Sequence, residues 1–371
     1  MNIIVSGGGT GGHIYPALTI IRAIQQNEPS ARILYVGTPH GLEADIVPRE
    51  GIDFIAVDLA GFERKFSLEN ILRAGRALCA LARASGIVRR FRPDVAIGTG
   101  GYAAGPILLA ASLAGVPTLV QEQNVYAGVT NRILARFATA IAVGMEDARA
   151  VFPQNKTYVT GNPIRPEVLT ASRGEGAKAF GFDPLKKTVL VSGGSRGARS
   201  INRAMVAVIA RAAEQTDVQY LHVTGAEEHG DTLARIRNAG VRLEEHPNIR
   251  VLPYLYNMPQ AMAMADVAVF RAGATGLAEL AARGVPAILI PYPYAAENHQ
   301  EKNARAMEAA GAAEVILNRD LDGVVLTEAL RTLLSDDVRR AGMAAAMKRL
   351  GKPKAAEEIA ALALRISKGE G

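Results

Sequence analysis

Residues 2–13 read NIIVSGGGTGGH: an apolar, β-branched run passes directly into a glycine-rich turn. Residues 188–198 read TVLVSGGSRGA and repeat that order in the second half of the chain. Continuous apolar strands that lead through glycine turns into helices are typical of parallel sheets covered on both faces. The two stretches therefore predict two doubly wound, Rossmann-like α/β domains in one chain.

Short apolar runs alternate with helical patterns around both stretches, and this alternation predicts an α/β fold with two parallel sheets. In the first half, the candidate strands are 2–6, 33–36, 54–57, 95–97, 118–120 and 140–143. In the second half, they are 188–192, 219–224, 249–252, 267–270, 287–290 and 314–317. Such sheets bind ligands beyond the carboxyl ends of their strands, so a cleft between the two domains is the expected site.

Residues 161–166, GNPIRP, separate the two series and have the turn chemistry of a hinge. We therefore assign residues 1–162 to an N-terminal domain and residues 163–345 to a C-terminal domain. The remaining residues, 346–371, contain a helical pattern at 355–366 with no strand after it. We expect this last helix to pack back on the N-terminal domain.

Composition sets limits on the class of protein. A chain of 371 residues with 49% hydrophobic residues suits two globular domains, and no run approaches the roughly 18 apolar residues of a membrane span. No secretory signal is visible at the N-terminus. The single cysteine, Cys79, excludes an internal disulfide and is expected to pack among its apolar neighbours. The net charge of +6 favours an anionic partner: nucleotide, phosphate, lipid head group or nucleic acid.

Three glycine-rich turns follow candidate strands, at residues 7–12, 98–105 and 193–197. Glycine allows backbone N–H groups to approach an anion, and the start of a helix adds a favourable dipole. The alternative is three tight turns with no ligand. Gly7, Gly9 and Gly12 also match the dinucleotide motif G-x-G-x-x-G, but the second strand ends without the carboxylate that NAD requires on the ribose.

Gly193, Ser195 and Gly197 match a second motif, the G-x-S-x-G nucleophile elbow of hydrolases. A serine hydrolase would also need an acid and a histidine, for which Asp266 and His299 are candidates, so this alternative stays open. No phosphate-binding G-x-x-x-x-G-K-[ST] occurs.

Asp320-Leu321-Asp322 matches a metal-binding D-x-D, but it lies beyond the last candidate strand, and we interpret it as structural. No H-E-x-x-H or Cys/His cluster offers a transition-metal site. We therefore predict no metal and no cofactor.

Polar residues also follow the later strands of the second half. Residues 271–279, RAGATGLAE, form a glycine turn and a helix start that carries Glu279. A carboxylate there could accept hydrogen bonds from a ribose diol, although a glutamate near a helix start is also favoured by the dipole alone. Asn298, His299, Gln300 and Asn303 follow a proline-rich loop and suit sugar hydroxyls; helix capping by Asn298 is the alternative.

The segment from Phe62 to Arg92 is strongly basic, with eight Lys or Arg and two acidic residues. Leu68, Ile71, Leu72, Leu78, Cys79 and Ala82 form a predicted core stripe at helical spacing, after a possible N-cap at Ser67. Arg73, Arg76, Arg83 and Arg90 fall on a separate stripe, and Phe62 and Phe66 precede it beside Arg64 and Lys65. Apolar residues beside cations suit an anionic lipid surface, and a solvated helix face is the alternative. No aromatic platform or recognised motif supports nucleic-acid binding.

Taken together, these residues resemble the family-28 glycosyltransferases of GT-B fold that complete lipid II by glycosylating lipid I. The resemblance extends over essentially the whole chain. It rests on residues 8–13 with Pro16, 98–106, 122–124, 161–165, 193–198, 271–279, 299–300 and 303–304.

The resemblance implies a donor, UDP-N-acetylglucosamine (UDP-GlcNAc), held mainly by the second domain, with Glu279 on the ribose, Ser195 on the phosphates and Gln300 on the sugar. The residues it places at the donor are Thr10, Gly11, Gly12, Asn124, Arg165, Ser195, Leu255, Ala274, Thr275, Gly276, Glu279, His299 and Gln300. The family pattern usually has threonine where this chain has Gly276, so a hydroxyl contact is missing there or is replaced by a backbone N–H.

The resemblance also implies metal-independent transfer with inversion, which gives a β-1,4 linkage to the lipid I acceptor. His13 is the candidate general base because imidazole titrates near neutral pH; the alternative is a histidine that binds phosphate or caps a helix. Glu122 is a second acid–base candidate. The expected location is peripheral, on an anionic membrane surface at the cytoplasmic face of the bacterial plasma membrane. The residues expected to face membrane or acceptor are Phe62, Arg64, Lys65, Phe66, Arg73, Arg76 and Tyr102.

Three other functions remain open at this point. A related GT-B transferase could act on diacylglycerol or another hydrophobic acceptor. A serine hydrolase could use Ser195. A non-catalytic protein could bind the nucleotide sugar without releasing UDP.

Overall fold

The computed structural model describes residues 1–57, 69–194 and 196–370, and of residues 69–77 it describes the backbone alone. Within these residues the chain forms two compact units, one of Met1–Ile164 with Pro353–Gly371 and the other of Arg165–Lys352. Each unit contains a parallel sheet between helices. The predicted α/β class with two doubly wound, Rossmann-like domains is therefore confirmed.

The sheet of the first unit has, among the described residues, seven parallel strands in the order β3-β2-β1-β4-β5-β6-β7. They are β1 (Asn2–Ser6), β2 (Arg32–Gly37), β3 (Asp53–Ala56), β4 (Val95–Gly98), β5 (Thr118–Glu122), β6 (Ala140–Val143) and β7 (Thr157–Val159). The first six match the predicted runs to within two residues. The short edge strand β7 was not predicted.

Helices cover both faces of this sheet. They are α1 (Gly11–Asn27), α2 (Glu43–Arg49), α3 (Glu69–Phe91), α4 (Ala104–Leu113), α5 (Val129–Leu134) and α15 (Ala355–Ser367), with 3₁₀ helices at Glu146–Val151 and Gln154–Lys156. Helix α15 packs against α1 and buries Ile359, Leu362 and Ile366 in the core cluster that contains Ile3. Each such side chain stabilises the fold by about 1.5–3 kcal/mol, which holds the chain's last helix on the first unit.

The second unit repeats the topology with six described parallel strands in the order β10-β9-β8-β11-β12-β13. They are β8 (Lys187–Ser192), β9 (Val218–Val223), β10 (Ile249–Leu252), β11 (Val267–Phe270), β12 (Ala287–Leu289) and β13 (Ala313–Val315). The central strands are buried along their length because helices lie on both faces.

The helices of the second unit continue the numbering. They are α6 (Pro166–Thr170), α7 (Arg173–Phe180), α8 (Arg199–Ala212), α9 (His229–Asn238), α10 (Met258–Met264), α11 (Ala274–Arg283), α12 (His299–Ala309), α13 (Gly323–Ser335) and α14 (Asp337–Leu350), with 3₁₀ helices at Leu243–Glu245 and Ala296–Asn298. Helix α14 packs on α11 and α13. The unit therefore extends beyond residue 345, where the sequence analysis placed the boundary.

The predicted core stripe of α3 is wrong where it can be examined. Leu78 is 68% exposed, and Cys79 and Ala82 are exposed as well. The buried positions are instead Ala80, Ala84 and Val88. This face of α3 packs beside α4, and Leu81, Ile87 and Phe91 pack partly against the same core cluster. Cys79 consequently does not pack in the core as expected.

Candidate active site

The first site lies where the strand order of the first sheet reverses, at the carboxyl ends of β1 and β4. Crevices of this kind are the usual ligand sites of doubly wound sheets. Strand β1 passes into the first glycine turn, and α1 begins at Gly11 after Thr10 in extended backbone. Strand β4 passes into Thr99 and Gly100. The two turns meet at His13.

Two carbonyl oxygens fix the imidazole of His13. Its Nδ1 lies 2.9 Å from the backbone oxygen of Thr99 and 3.1 Å from Oε1 of Gln123. Because both partners are acceptors, the neutral ring carries its proton on Nδ1 and its lone pair on Nε2. Gly100 has φ +102°, and a Cβ there would lie 2.8 Å from Nδ1, so this position requires glycine. The two contacts fix the orientation of the imidazole ring at the end of the first glycine turn.

A chain of hydrogen-bonded side-chain amides holds the Gln123 side chain that contacts His13. Nε2 of Gln123 donates to the Thr99 oxygen at 2.5 Å and also to Oε1 of Gln121. Nε2 of Gln121 donates to Oδ1 of Asn162 at 3.0 Å, and Nδ2 of Asn162 donates to the backbone oxygen of Gln123 at 2.9 Å. All three amide side chains are buried. The predicted hinge residue Asn162 is thus connected to the imidazole through two glutamines.

Glu122 is buried beside this chain and is surrounded by donors. Its Oε1 accepts from the backbone and side-chain N–H groups of Asn124, at 3.0 and 3.1 Å. Its Oε2 accepts from Gly128 N–H at 3.1 Å and from Nδ2 of Asn131 at 2.9 Å. Four donors on one carboxylate brace the loop that follows β5.

A second buried carboxylate, Glu43 at the start of α2, lies behind the first glycine turn. It accepts from Gly9 N–H and from Thr38 N–H, both at 3.1 Å, and from the Thr38 hydroxyl at 2.7 Å. Burial raises its pKa, but the hydrogen bonds from Thr38 and Gly9 outweigh burial, so the pKa lies below its ordinary value. The Gly9 N–H is therefore already hydrogen-bonded within the protein, and Glu43 fixes the position of the turn.

The donor residues predicted in the second half are centred on Glu279. This glutamate lies in α11, its side chain is 4% exposed, and both of its oxygens accept from Arg165. Ala274 and Thr275 begin α11, and Gly276 follows in its first turn. A Cβ at Gly276 would lie 3.7 Å from the Phe270 ring, which is an ordinary van der Waals distance. The structure thus brings Arg165, residues 274–276 and Glu279 together at the carboxyl end of β11.

The third glycine turn follows β8 and opens α8, but Ser195 lies outside the described residues. Its neighbour Gly197 has φ +76°, and a Cβ there would lie 1.9 Å from the Thr224 oxygen, so the turn fits tightly against the end of β9. Nδ2 of Asn202 donates to that same oxygen at 2.9 Å, and Nε2 of His222 lies 3.0 Å from Oδ1 of Asn202. These hydrogen bonds fix the backbone at the end of β9, against which the third glycine turn packs.

Arg271 is a half-buried cation at the carboxyl end of β11. It donates to the oxygens of Ile290 and Pro291, to Oδ1 of Asn318 and to Oγ of Ser200, all at 3.0 Å. No carboxylate among the described residues pairs with it. Burial lowers its pKa to about 10, so it remains charged at neutral pH. Its uncompensated charge favours an anion at this edge of the sheet.

The polar loop before α12 is also near this edge. Oε1 of Gln300 accepts from Tyr292 N–H at 2.9 Å, and Nδ1 of His299 lies 2.7 Å from the Ala296 oxygen. Asn298 takes a left-handed backbone with φ 52° and makes no side-chain cap, so the capping alternative is wrong. Asn303 is fully buried and donates to the Ala272 oxygen. Leu255 lies in the loop after β10.

The hydrolase alternative is wrong in its proposed acid. Asp266 accepts from Thr188 N–H at 2.8 Å and pairs with Arg173, which places it at the amino end of β8. The Ser195 turn follows the carboxyl end of the same strand, so the carboxylate lies about a strand's length away. Asp322 of the D-x-D caps α13 by accepting from Val325 N–H at 2.8 Å, which confirms its structural interpretation. Among the described residues, no three metal-ligating side chains of His, Cys, Asp or Glu gather as a site.

The predicted membrane face is described in part. Phe62, Arg64, Lys65, Phe66 and Ser67 lie outside the described residues, as do the side chains of Arg73 and Arg76. Arg83 and Arg90 are exposed on α3, and Tyr102 is exposed in the turn after β4. Across the part of the chain that the structure describes, no helix combines the length and apolar character needed to span a bilayer.

Two doubly wound units, each with a parallel sheet whose strands pass through glycine turns into helices, have the architecture of a GT-B glycosyltransferase. Family models agree over most of the chain. The Glycosyltransferase family 28 N-terminal domain matches residues 3–143, and the Glycosyltransferase family 28 C-terminal domain matches residues 188–359. The chain belongs to glycosyltransferase family 28.

Curated relatives are similar over almost their full length. The UDP-N-acetylglucosamine--N-acetylmuramyl-(pentapeptide) pyrophosphoryl-undecaprenol N-acetylglucosamine transferase of Desulforamulus reducens is 46% identical and covers 97% of each chain. The enzyme of the same name from Desulfitobacterium hafniense is 47% identical and covers 98% of this chain and 99% of its own.

Solved structures share the fold. MurG of Acinetobacter baumannii superimposes with a TM-score of 0.78 at 27% identity, covering 98% of this chain and 99% of its own. UDP-GlcNAc 2-epimerase from Neisseria meningitidis, bound to UDP-GlcNAc, has a TM-score of 0.66 at 16% identity, covering 98% of this chain and all of its own. The epimerase shows that the architecture is shared, and no more than that.

Proposed function

We propose that this chain transfers N-acetylglucosamine from UDP-GlcNAc to the 4-hydroxyl of the N-acetylmuramyl sugar of lipid I, which yields lipid II for peptidoglycan synthesis. Relatives at 46–47% identity over nearly the whole chain carry the name of this activity. The observation that carries the proposal in the molecule is the buried carboxylate of Glu279, held by Arg165 in the second turn of α11.

The second unit supplies the donor groups. Glu279 has lone pairs beyond the two used by Arg165, and they accept the ribose hydroxyls. The helix starts of α8 and α11 direct backbone N–H groups toward the diphosphate, and the unpaired charge of Arg271 adds to their field. Preorganised donors of this kind stabilise the negative charge that develops on departing UDP. Ser195, Thr275, Gly276 and Gln300 complete the proposed donor contacts.

The first unit supplies the base. Nε2 of His13 removes the proton from the acceptor hydroxyl while that oxygen attacks the anomeric carbon. The bond from the anomeric carbon to the β-phosphate oxygen breaks, its electron pair leaves with UDP, and the configuration inverts. The Thr99 oxygen and Gln123 hold the proton on Nδ1, so the resulting imidazolium is stabilised by two acceptors. Thr10, Gly11, Gly12 and Asn124 remain proposed donor contacts from this unit.

Membrane association is part of the proposal because the acceptor is lipid-linked. Large apolar side chains are exposed on three neighbouring helices of the first unit: Leu78 on α3, Leu113 on α4 and Ile133 on α5. Exposed arginines, Arg83 and Arg90, accompany them on α3. Apolar side chains beside cations favour the surface of an anionic bilayer, by about 1 kcal/mol for each basic residue near it. This supports peripheral binding at the cytoplasmic leaflet.

Vesicle flotation tests the membrane proposal. Anionic vesicles at low salt should float the protein, and neutral vesicles or high salt should release it. The double substitution Arg83→Glu with Arg90→Glu should weaken flotation, whereas Arg235→Glu, on an exposed helix of the second unit, should not. Binding that ignores lipid charge and salt would contradict the proposal.

UDP release tests the reaction itself. UDP-GlcNAc with a soluble lipid I analogue should release UDP, whereas donor alone or donor with diacylglycerol should release little. At donor concentrations below KM, Glu279→Gln should slow release, and Asp320→Asn, at an exposed carboxylate in the D-x-D, should not. Equal release with diacylglycerol would assign the chain to a different acceptor. Donor binding without release would make it a nucleotide-sugar binder.

A further inference from the structure

A groove of about 520 Å³ runs beside β7 in the first unit. Strand β7 is the last strand of the first sheet, and among the described residues it pairs with β6 alone. The backbone on its other side is therefore open along the groove. We call this feature the β7 groove.

The two walls of the β7 groove come from opposite faces of the sheet. On one face, α15 contributes Ala361, Leu362 and Arg365. On the other face, the 3₁₀ helix Glu146–Val151 contributes Arg149 and is anchored through buried Ala148. An open strand edge between two such walls has the shape of a site where an extended peptide adds to a sheet.

The side chains of β7 divide between these walls. Tyr158 packs toward the core cluster that contains α15, and Val159 packs toward the cluster that contains the 3₁₀ helix. The groove therefore follows the strand edge itself and is not a gap between two helices. A peptide strand laid there would continue the alternation, with one set of side chains against α15 and the other against the 3₁₀ helix.

Charge in the β7 groove favours an acidic occupant. The Arg365 guanidinium stacks over the Tyr158 ring at 5.4 Å, and no carboxylate of the described residues pairs with it. Arg149 has a distant contact with Glu146, at 3.7 Å, while its Nε is buried and donates to none of the described residues. One acid, Glu358, lies among the lining residues. Two cations with unused donors recognise carboxylates well.

We propose that the β7 groove is a docking site for an extended, acidic segment of a partner protein, which adds to β7 as a further strand. Main-chain hydrogen bonds to the open edge supply the general affinity. Arg149 and Arg365 select acidic side chains, and the small Ala361 leaves room for an apolar side chain between them. The site uses none of the residues assigned to the donor or to the base, so it goes beyond the proposed transferase activity.

The test uses the full chain and a short fluorescein-labelled peptide with two adjacent glutamates between valines, so that one glutamate faces each wall of the groove. Fluorescence anisotropy should show saturable binding, and a peptide with lysine in place of both glutamates should not bind. Hydrogen exchange at the amides of residues 157–160 should slow when the acidic peptide binds, which a simple ion pair would not cause.

Three variants make the test specific. Arg149→Glu and Arg365→Glu should each lower the affinity roughly tenfold, and Ala361→Trp should block the groove without removing a charge. Lys368→Glu, at the exposed end of α15, is the matched control and should bind normally. UDP release should be unchanged in all four.

Two results would overturn the proposal. If free glutamate or inorganic phosphate displaced the peptide as well as unlabelled peptide does, the arginines would form a simple anion site. If Ala361→Trp left both affinity and exchange protection unchanged, the peptide would be binding elsewhere.

Discussion

The guanidinium of Arg165 holds the carboxylate of Glu279 through two parallel hydrogen bonds, from Nε to Oε1 at 2.8 Å and from Nη2 to Oε2 at 3.1 Å. The glutamate side chain is 4% exposed and the arginine side chain 33%, so the carboxylate lies inside and the cation covers it. A carboxylate has about four lone-pair sites, and the arginine uses two of them. Arg165 therefore orients Glu279, and the proposed ribose contact would use the lone-pair sites that the arginine does not.

Substitution of this pair should separate donor binding from turnover. Glu279→Gln replaces one acceptor oxygen by a donor and removes the charge, so we expect the KM for UDP-GlcNAc to rise roughly tenfold or more, with a smaller change in kcat. Arg165→Met should raise the same KM by misorienting the carboxylate. Steady-state kinetics at varied donor concentration measures both. If the double variant were as impaired as the two single effects multiplied together, the residues would act independently and the orienting role would be refuted.

His13 should matter to the chemical step and not to donor affinity. His13→Ala removes the base, and we expect kcat to fall by about 10²–10⁴ while the Kd of UDP is unchanged. Gln123→Leu removes one of the two acceptors at Nδ1 and leaves the Thr99 oxygen, so the preference of the ring for one tautomer is weakened. This variant should lower kcat by roughly tenfold and displace the acidic limb of the pH profile.

Two measurements check the role of His13. Single-turnover kinetics isolates the chemical step, and calorimetry gives the Kd of UDP. Gln154→Leu, at an exposed amide of the first unit, is the control for loss of a glutamine and should retain full turnover. Undiminished kcat in His13→Ala would exclude His13 as the base.

Gly276 should accept the threonine that the family pattern usually carries. A Cβ at this position would lie 3.7 Å from Phe270, which is ordinary contact, and the backbone is helical. Gly276→Thr should therefore fold, stabilise α11 by a few tenths of a kcal/mol because glycine is a poor helix former, and lower the KM for UDP-GlcNAc. Gly276→Val has nearly the same shape without the hydroxyl. Equal KM values for the two variants would show that no hydroxyl contact to the donor is made.

The fold was predictable because the central strands of both sheets have a clear sequence pattern. Val267–Phe270 is a pure apolar run before a glycine turn, and both sheets repeat that signal. The edge strand Thr157–Val159 was missed because it is three residues long, half polar, and buried less completely. An edge strand is covered less completely than a central strand, so it can contain more polar residues. The sequence of one strand does not show whether the folded sheet has a neighbour on one side of it or on both.

The site was predictable where turn and motif coincide, as at His13 and Glu279. Glu43 was missed because its partner Gly9 lies 34 residues away along the chain, and only the folded sheet brings them together. Asn202 and His222 escaped for the same reason. The stripe on α3 failed because that helix has two apolar faces, and the alanine-rich one packs inward.

Glu43 should support the first glycine turn and, with it, the stability of the first unit at neutral pH. Glu43→Gln turns one acceptor into a donor facing Gly9 and Thr38, and we expect a loss of about 1–3 kcal/mol in unfolding free energy. Because the folded pKa is depressed, the carboxylate stabilises the fold above its ordinary pKa, and this contribution is lost as the pH falls through the folded pKa.

Urea unfolding followed by circular dichroism measures the effect of Glu43→Gln, since the chain has no tryptophan. The difference between wild type and variant should shrink as the buffer is made acidic. Glu50→Gln, at an exposed partner of Arg22, should cost less than about 1 kcal/mol. A difference that stayed constant down to acidic pH would mean that the charge of Glu43 is not what matters.

His222 should make the second unit sensitive to mild acid. Burial lowers its pKa to about 3, from an ordinary 6.5, and its Nδ1 has no hydrogen-bond partner among the described residues. Below pH 6.5 the unfolded chain binds a proton at this histidine while the folded chain does not, so stability falls as the pH falls. At about pH 5 the loss from this one group is about 2 kcal/mol.

His222→Gln retains a donor toward Asn202 without titrating, so the variant should lose less stability between about pH 8 and pH 5 than wild type does. His40→Gln, at an exposed histidine, should follow wild type across the same range. Urea midpoints of the three proteins at both pH values decide the matter: parallel curves for wild type and His222→Gln would place the acid sensitivity in another group.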